Sequence, residues 1–182
     1  MTGRSLRRIV AAGLFAATAL ASGALLAGPE RVPFPADYQT KFVRYNSVER
    51  PDRKPPVVRF FYANPESFAA MRAGMPAPNG TVLVMEDRKA ALGPDGNPLL
   101  DDNGRWIATD EVVAVAVQEK RAGWGEAYAP DKRNGDWEYS AFNAKGEMRP
   151  NLKTDSCFTC HLNRTKSDYT FTYLKFFADT RK

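Results

Sequence analysis

The sequence predicts an α+β domain built on an antiparallel β-sheet of about five strands with flanking helices. Three observations carry that expectation. Segments in which β-branched and aromatic residues alternate at period two recur between turn signals, the pattern of half-buried strands. Helix-start signals fall beside them. A short motif that holds both cysteines and the single histidine of the chain lies near the C-terminus, behind the strands.

The chain has 182 residues, enough for one domain with a sizeable core. It opens with Arg4, Arg7 and Arg8, followed by an uncharged, alanine-rich apolar run over 9–26. Small residues suited to cleavage occur at Ala19-Leu20-Ala21 and Ser22-Gly23-Ala24. This reads as a signal peptide over 1–27 that sends the protein across a bacterial inner membrane to the periplasm. An uncleaved anchor is the alternative, since a run of about 18 apolar residues can just span a bilayer. Removing the three leader arginines takes the formal charge from +5 to +2. The remaining basic residues are scattered rather than clustered, so no nucleic-acid partner is expected.

Residues 28–56 read as an N-terminal extension, rich in proline and charge. A short helix is expected over 37–45, with Tyr38, Phe42 and Tyr45 on one face. Residues 57–63 form the first expected strand, placing Val57, Arg59 and Phe61 on one face and Val58, Phe60 and Tyr62 on the other. Arg59 in that apolar run is either an edge residue whose head reaches solvent or a cationic donor aimed into a buried pocket. Asn64-Pro65-Glu66 starts a helix, with asparagine as cap, proline in the first turn and an acid behind it. Phe68 and Met71 mark its buried side, and Gly74 ends it. A second strand is expected over 81–87, with Thr81, Leu83, Met85 and Asp87 on one face. The stretch 92–105 carries two turn signals and reads as an exposed excursion. Residues 111–120, with Val113, Val115 and Val117 alternating with alanines, form the clearest strand and are expected to be buried on both faces. Two further strands are expected over 126–129 and 137–142. In the last segment, 169–177, a helix is preferred, although Tyr169, Phe171 and Tyr173 alternate as a strand would.

Between the strands and that segment stands Cys157-Phe158-Thr159-Cys160-His161. C-x-x-C-H is the pattern of covalent haem attachment. The two thiols add to the vinyl groups of one porphyrin, and the histidine offers an imidazole nitrogen to the iron. A redox disulfide pair or part of a zinc site would use the same residues. The residues before Cys157 read as loop rather than as the strand of a thioredoxin-like turn. No further cysteine or histidine exists to complete a zinc set. One covalently bound haem c is therefore expected, and residues 57–182 become a haem domain. Export agrees with this, because c-type haem is attached outside the inner membrane.

Four pieces of the chain together resemble the cytochrome P-460 family, which includes cytochrome c′-beta. They are Arg59-Phe60-Phe61-Tyr62-Ala63-Asn64-Pro65-Glu66-Ser67-Phe68, Asn79-Gly80-Thr81-Val82-Leu83-Val84, Gly135-Asp136-Trp137-Glu138-Tyr139 and the haem motif. The resemblance runs over about 33–178. It implies an antiparallel sheet with flanking helices, a homodimer, and five-coordinate haem bound through His161 with an open distal face. Members oxidise hydroxylamine or bind nitric oxide. The oxidising members bond a lysine to the porphyrin, and Met85 fills that position here, with Lys89 reachable only by a shift of register. Arg59 matches a distal arginine of those enzymes, and Ala114 takes the place of their distal carboxylate. These departures put hydroxylamine oxidation in doubt.

The expected partners are a small gaseous or nitrogenous ligand and a periplasmic redox partner. On the distal side Phe61 would exclude water and anions, and Arg59 would donate to a bound ligand or to a peroxide oxygen. Two rival readings remain, a haem enzyme acting on hydroxylamine or peroxide and an electron carrier. In the carrier Met85 would be the sixth iron ligand, with Met71, Met75 or Met148 as lesser candidates.

Overall fold

The structure, a computed structural model, describes residues 27–180. The signal-peptide reading falls almost wholly outside the described residues. Among the described residues no helix is long and apolar enough to cross a membrane.

Five strands, β1 (Val43–Arg50), β2 (Val57–Ala63), β3 (Val82–Ala90), β4 (Ala108–Lys120) and β5 (Trp137–Phe142), form one sheet. Neighbours in sequence are neighbours in space, and every pair is antiparallel. The α+β expectation therefore holds, but several elements differ from their prediction.

The helix expected over 37–45 stops after one turn, α1 (Tyr38–Lys41), and the chain continues as β1. Tyr38 and Phe42 do share a helical spacing. Val43 and Tyr45, with polar Arg44 and Asn46 in alternation, also suit a strand, and the free edge of β2 supplies the backbone partners that decide between the two. The region 28–56 is thus no appendage, because it contributes a strand paired from Val43 opposite Ala63 to Arg50 opposite Val57. The strand expected over 126–129 is instead part of a 3₁₀ turn, Trp124–Ala127. There Gly125 N–H donates to the Asp136 carboxylate at 3.1 Å. A β-carbon on Gly125 would come within 2.0 Å of the Gly135 carbonyl oxygen, so backbone runs against backbone and an extended strand has no room.

Helix α2 (Pro65–Ala70) begins where expected but ends before Gly74, with Met71 already extended. Asn64 does not cap it through its side chain. Its amide instead bridges to the start of β3, accepting from Val82 N–H at 2.8 Å and donating to the Gly80 carbonyl at 3.2 Å. The stretch 92–105 is the exposed excursion expected, held by isolated bridges Leu92 to Pro98 and Leu100 to Trp106. Helix α3 (Asp155–Leu162) carries the cysteine motif, and the helix expected over 169–177 begins only at Tyr173, as α4 (Tyr173–Thr180), because Asp168 and Tyr169 are left-handed.

Side chains alternate along each strand, so the sheet has two unlike faces. On one, α2, α3 and α4 cover Tyr45, Ala63, Leu83, Trp137 and Tyr139, with Met71, Phe158, Tyr173 and Phe177 buried among them. On the other, Val32 and Tyr38 pack on Tyr62, Val84, Val115, Val117 and Phe142. β4 is less symmetrical than expected. Val115 and Val117 are buried on the second face, but Val113 is exposed and Ala116 faces a cavity under the helices.

Candidate functional site

Cys157, Cys160 and His161 stand three and four residues apart on α3, so they share one face of the helix. All three line a cavity of about 620 Å³ between that helix and the sheet. Phe158, the second residue of the motif, points away from it. Its ring packs on Tyr128 and Tyr139 at centroid distances of 4.6 and 4.9 Å, and its carbonyl accepts from Asn134 Nδ2 at 3.0 Å. The motif is thereby anchored through its spacer while its chemically active residues stay on the cavity wall. Both thiols are free, and burial pushes the Cys157 thiol above its ordinary pKa.

His161 is held on three sides. Tyr139 and Phe171 flank its ring at 4.8 and 4.9 Å, and Nδ1 lies 2.6 Å from the carbonyl oxygen of Tyr169. A carbonyl only accepts, so Nδ1 carries the proton and Nε2 keeps its lone pair for a metal. Burial lowers the imidazole pKa, the bond to Tyr169 opposes that, and Arg164 adds to the lowering, for a net value below 6.5. The ring is therefore neutral near pH 7, the form that ligates.

The Tyr169 carbonyl is itself held. It accepts a second bond from Gln118 Nε2 at 3.1 Å. Asp168 and Tyr169 both adopt left-handed backbone, φ 48° and 56°, a conformation that costs energy in non-glycine residues. The Asp168 carboxylate ties this turn down by accepting from Lys120 Nζ at 2.8 Å and Ala77 N–H at 2.9 Å.

Across the cavity the wall is the sheet, with β2, β3 and β4 at its centre and Tyr45 of β1 and Tyr139 of β5 at its sides. Arg59 is neither at an edge nor in solvent. It is buried on an internal strand and forms a two-pronged ion pair with Asp87, Nε to Oδ1 at 2.6 Å and Nη2 to Oδ2 at 2.7 Å. The pair follows from register, since Arg59 lies opposite Asp87, and Asp87 lies opposite Ala114 on the next strand. Phe61, one cavity-facing step further along, lies opposite Met85, and Met85 lies opposite Ala116. All three line the cavity.

Residues 35–172 match the model of the Cytochrome P460 family. The chain belongs to that family. Among curated proteins no match was found.

Membership in the cytochrome P460 family implies a haem cofactor. The residues present fit one. The cavity has cofactor dimensions, and its wall offers one neutral imidazole with Nε2 free. The Tyr173 hydroxyl, in the same wall, is fully buried with no hydrogen-bond partner. Buried polar atoms are rarely left unpaired, so this hydroxyl marks a place that a bound group completes.

The sequence-derived candidates separate cleanly on this geometry. Arg59, Phe61, Met85, Cys157, Cys160 and His161 all line one cavity. Met71 is buried at 1 % exposure in the aromatic cluster, Met75 is 57 % exposed, and Met148 packs on the opposite face of the sheet. Lys89 does not line the cavity. Its ammonium pairs with Glu111 at 2.9 Å, so no register shift brings it in. Asp87 places a carboxylate directly opposite Ala114, in the same cross-strand row. Asp87, Gln118 and Tyr139 carry no site role in the sequence reading, whereas Tyr169 and Tyr173 belong to the aromatic segment 169–177 expected to lay one face on the haem. Asp87 had a usable signal, lying on the same face as Met85. Tyr169 acts through its carbonyl, which no side-chain pattern reveals.

Proposed function

We propose that the protein is an exported mono-haem cytochrome that binds nitric oxide or a related small nitrogen ligand at an open iron site. In this reading Cys157 and Cys160 hold haem c through thioether bonds and His161 is the iron's axial ligand. The observation that carries it is the His161 ring, neutral, its Nδ1 committed to the Tyr169 carbonyl, facing a cavity whose sheet-side wall offers no second imidazole. The chain has one histidine.

Bound haem supplies an iron that coordinates small ligands and changes oxidation state. The protein contributes the environment. Phe61, Met85 and Ala116 give the wall beside Arg59 an apolar character that disfavours water, while Arg50 and Arg53 line the cavity elsewhere. Arg59 is the one buried cation in that wall, and with Nε and Nη2 held by Asp87 its remaining N–H groups are available to a ligand. Asp87 both orients the guanidinium and offsets its charge, which favours a neutral diatomic over an anion. Hydroxylamine oxidation is a weaker reading, because Met85 stands where the lysine cross-link would form and Lys89 is paired elsewhere.

A second reading has one observation in its favour. Met85 is the sole methionine among the cavity-lining residues, and its thioether is a competent sixth ligand. An electron carrier would result. The optical spectrum of the purified holoprotein, ferric and ferrous, with and without nitric oxide, separates the two. A high-spin spectrum that shifts on adding nitric oxide supports the open site. A low-spin spectrum that ignores the ligand, and becomes high-spin in Met85→Ala, overturns it in favour of electron transfer.

A further inference from the structure

Glu138 belongs to one of the stretches that carry the family resemblance, yet it does not line the cavity. It is fully buried. Its carboxylate accepts from the Tyr128 hydroxyl, from Tyr139 N–H at 3.1 Å and from Gly28 N at 3.2 Å. Among the described residues these donors are neutral. The other well-buried acids differ, since Glu86 has Arg88, Asp87 has Arg59 and Glu119 has Arg121, each at 2.6 Å. A buried carboxylate without a cation is costly.

The third donor is the unusual one. Gly28 lies 110 residues from Glu138 in sequence, and the chain is anchored to the body from that point onward. Pro29–Arg31 forms a turn of 3₁₀ helix, the Arg31 guanidinium lies 5.7 Å over the Trp124 ring, and Val32 is fully buried. A second acid also converges on Gly28, since a β-carbon there would sit 2.6 Å from the Glu30 carboxylate. Ala27, immediately before, is exposed and small.

We propose that a leader-removing endopeptidase cuts the Ala27–Gly28 bond and that the new α-ammonium of Gly28 is the cation Glu138 lacks. Water is the co-reactant. Its oxygen ends in the Ala27 carboxylate, which departs with the leader, and the Gly28 nitrogen becomes an amine that takes up a proton near neutral pH. The same nitrogen, already on Glu138 Oε2, then exchanges a neutral hydrogen bond for a charge-assisted ion pair. Maturation and docking of the N-terminus become one event. Cleavage after Ala21 or Ala24 has small residues at both positions of the A-x-A pattern, where the Ala27 site has Leu25 at the first, but those cuts leave extra residues in front and no charge at this nitrogen.

The proposal requires export but not the haem reading. Its first test is intact mass and N-terminal sequencing of the holoprotein, purified from a bacterial host that attaches c-type haem. A chain starting at Gly28 is expected. A start at Ser22 or Leu25 overturns the cleavage site alone, whereas a retained leader overturns cleavage altogether and leaves the uncleaved anchor. The second test compares Glu138→Gln in the Gly28-starting protein and in a protein whose exchanged leader leaves residues 22–27 in place. The substitution should lower the thermal midpoint by about 5 °C in the first and leave the second unchanged or raised. Equal effects in both overturn the ion pair.

Discussion

Glu86 and Asp87 are adjacent on β3, and both are buried acids, yet they serve different regions. Glu86 faces the packed side of the sheet, where Tyr38, Gln39, Tyr62 and Arg88 all donate to it. Asp87 faces the cavity side, and its two oxygens are both spent on Arg59. The period of two sends neighbouring residues to opposite faces, so one strand both closes a core and furnishes a pocket. Around Glu86 both carboxylate oxygens are occupied by donors and have nothing left to offer a ligand. On the cavity side one guanidinium keeps free N–H groups, and the Tyr173 hydroxyl has no partner. What separates the two acids is the donor capacity left beside them, not their burial.

The sharpest way to break this comparison is to remove the group that completes the cavity side. Cys157→Ser with Cys160→Ser should abolish covalent haem, read as complete loss of haem from the denatured protein. Variants on the packed face should retain it in full. Asp87→Asn should come next in size. Leaving the Arg59 guanidinium without its carboxylate should cost about 3 kcal/mol in urea unfolding. It should also change the rate of nitric oxide release, a second readout that packed-face variants leave unmoved.

Glu86→Gln should cost less, about 1 to 2 kcal/mol near neutral pH, because several neutral donors can still bond to the amide. Its pH dependence tests the saturated network. Burial by itself would raise the Glu86 pKa, but the bonds from Arg88, Tyr38 and Gln39 bring it below the ordinary value of 4.5. A folded pKa below the unfolded one stabilises above about pH 4.5 and loses that contribution as pH falls through the folded value. The stability gap between wild type and Glu86→Gln should therefore narrow in acid, and a gap that widens would refute the assignment. Smallest of all, Lys41→Ala should change stability by less than about 0.5 kcal/mol. Its pair with Asp37 is solvent-exposed on both sides.

Much of this was legible from residues alone, for reasons that are local. The C-x-x-C-H spacing places three side chains on one helical face wherever that helix is packed. Alternation over β2 and β3 already put Arg59, Phe61 and Met85 on common faces. The helix over 37–45 was misjudged because four residues do favour a turn there, and only the open edge of β2 turns the next eight into a strand. Arg59 was ambiguous for the same kind of reason, because whether an arginine in a strand reaches solvent depends on which strands flank it.

Periodicity and motif spacing are properties of neighbouring residues, and they sufficed for the fold class, the haem-type motif and the face on which each candidate lies. Register, partners and backbone acceptors join residues far apart in sequence. The Asp87 carboxylate meets Arg59 across 28 residues, and the Gly28 nitrogen meets Glu138 across 110. The carbonyl that orients His161 is only eight residues away, but it points there because two left-handed residues turn the chain. Long-range pairing trades chain entropy for contacts that exist only once the sheet has formed. No local pattern encodes which carboxylate or carbonyl will be waiting.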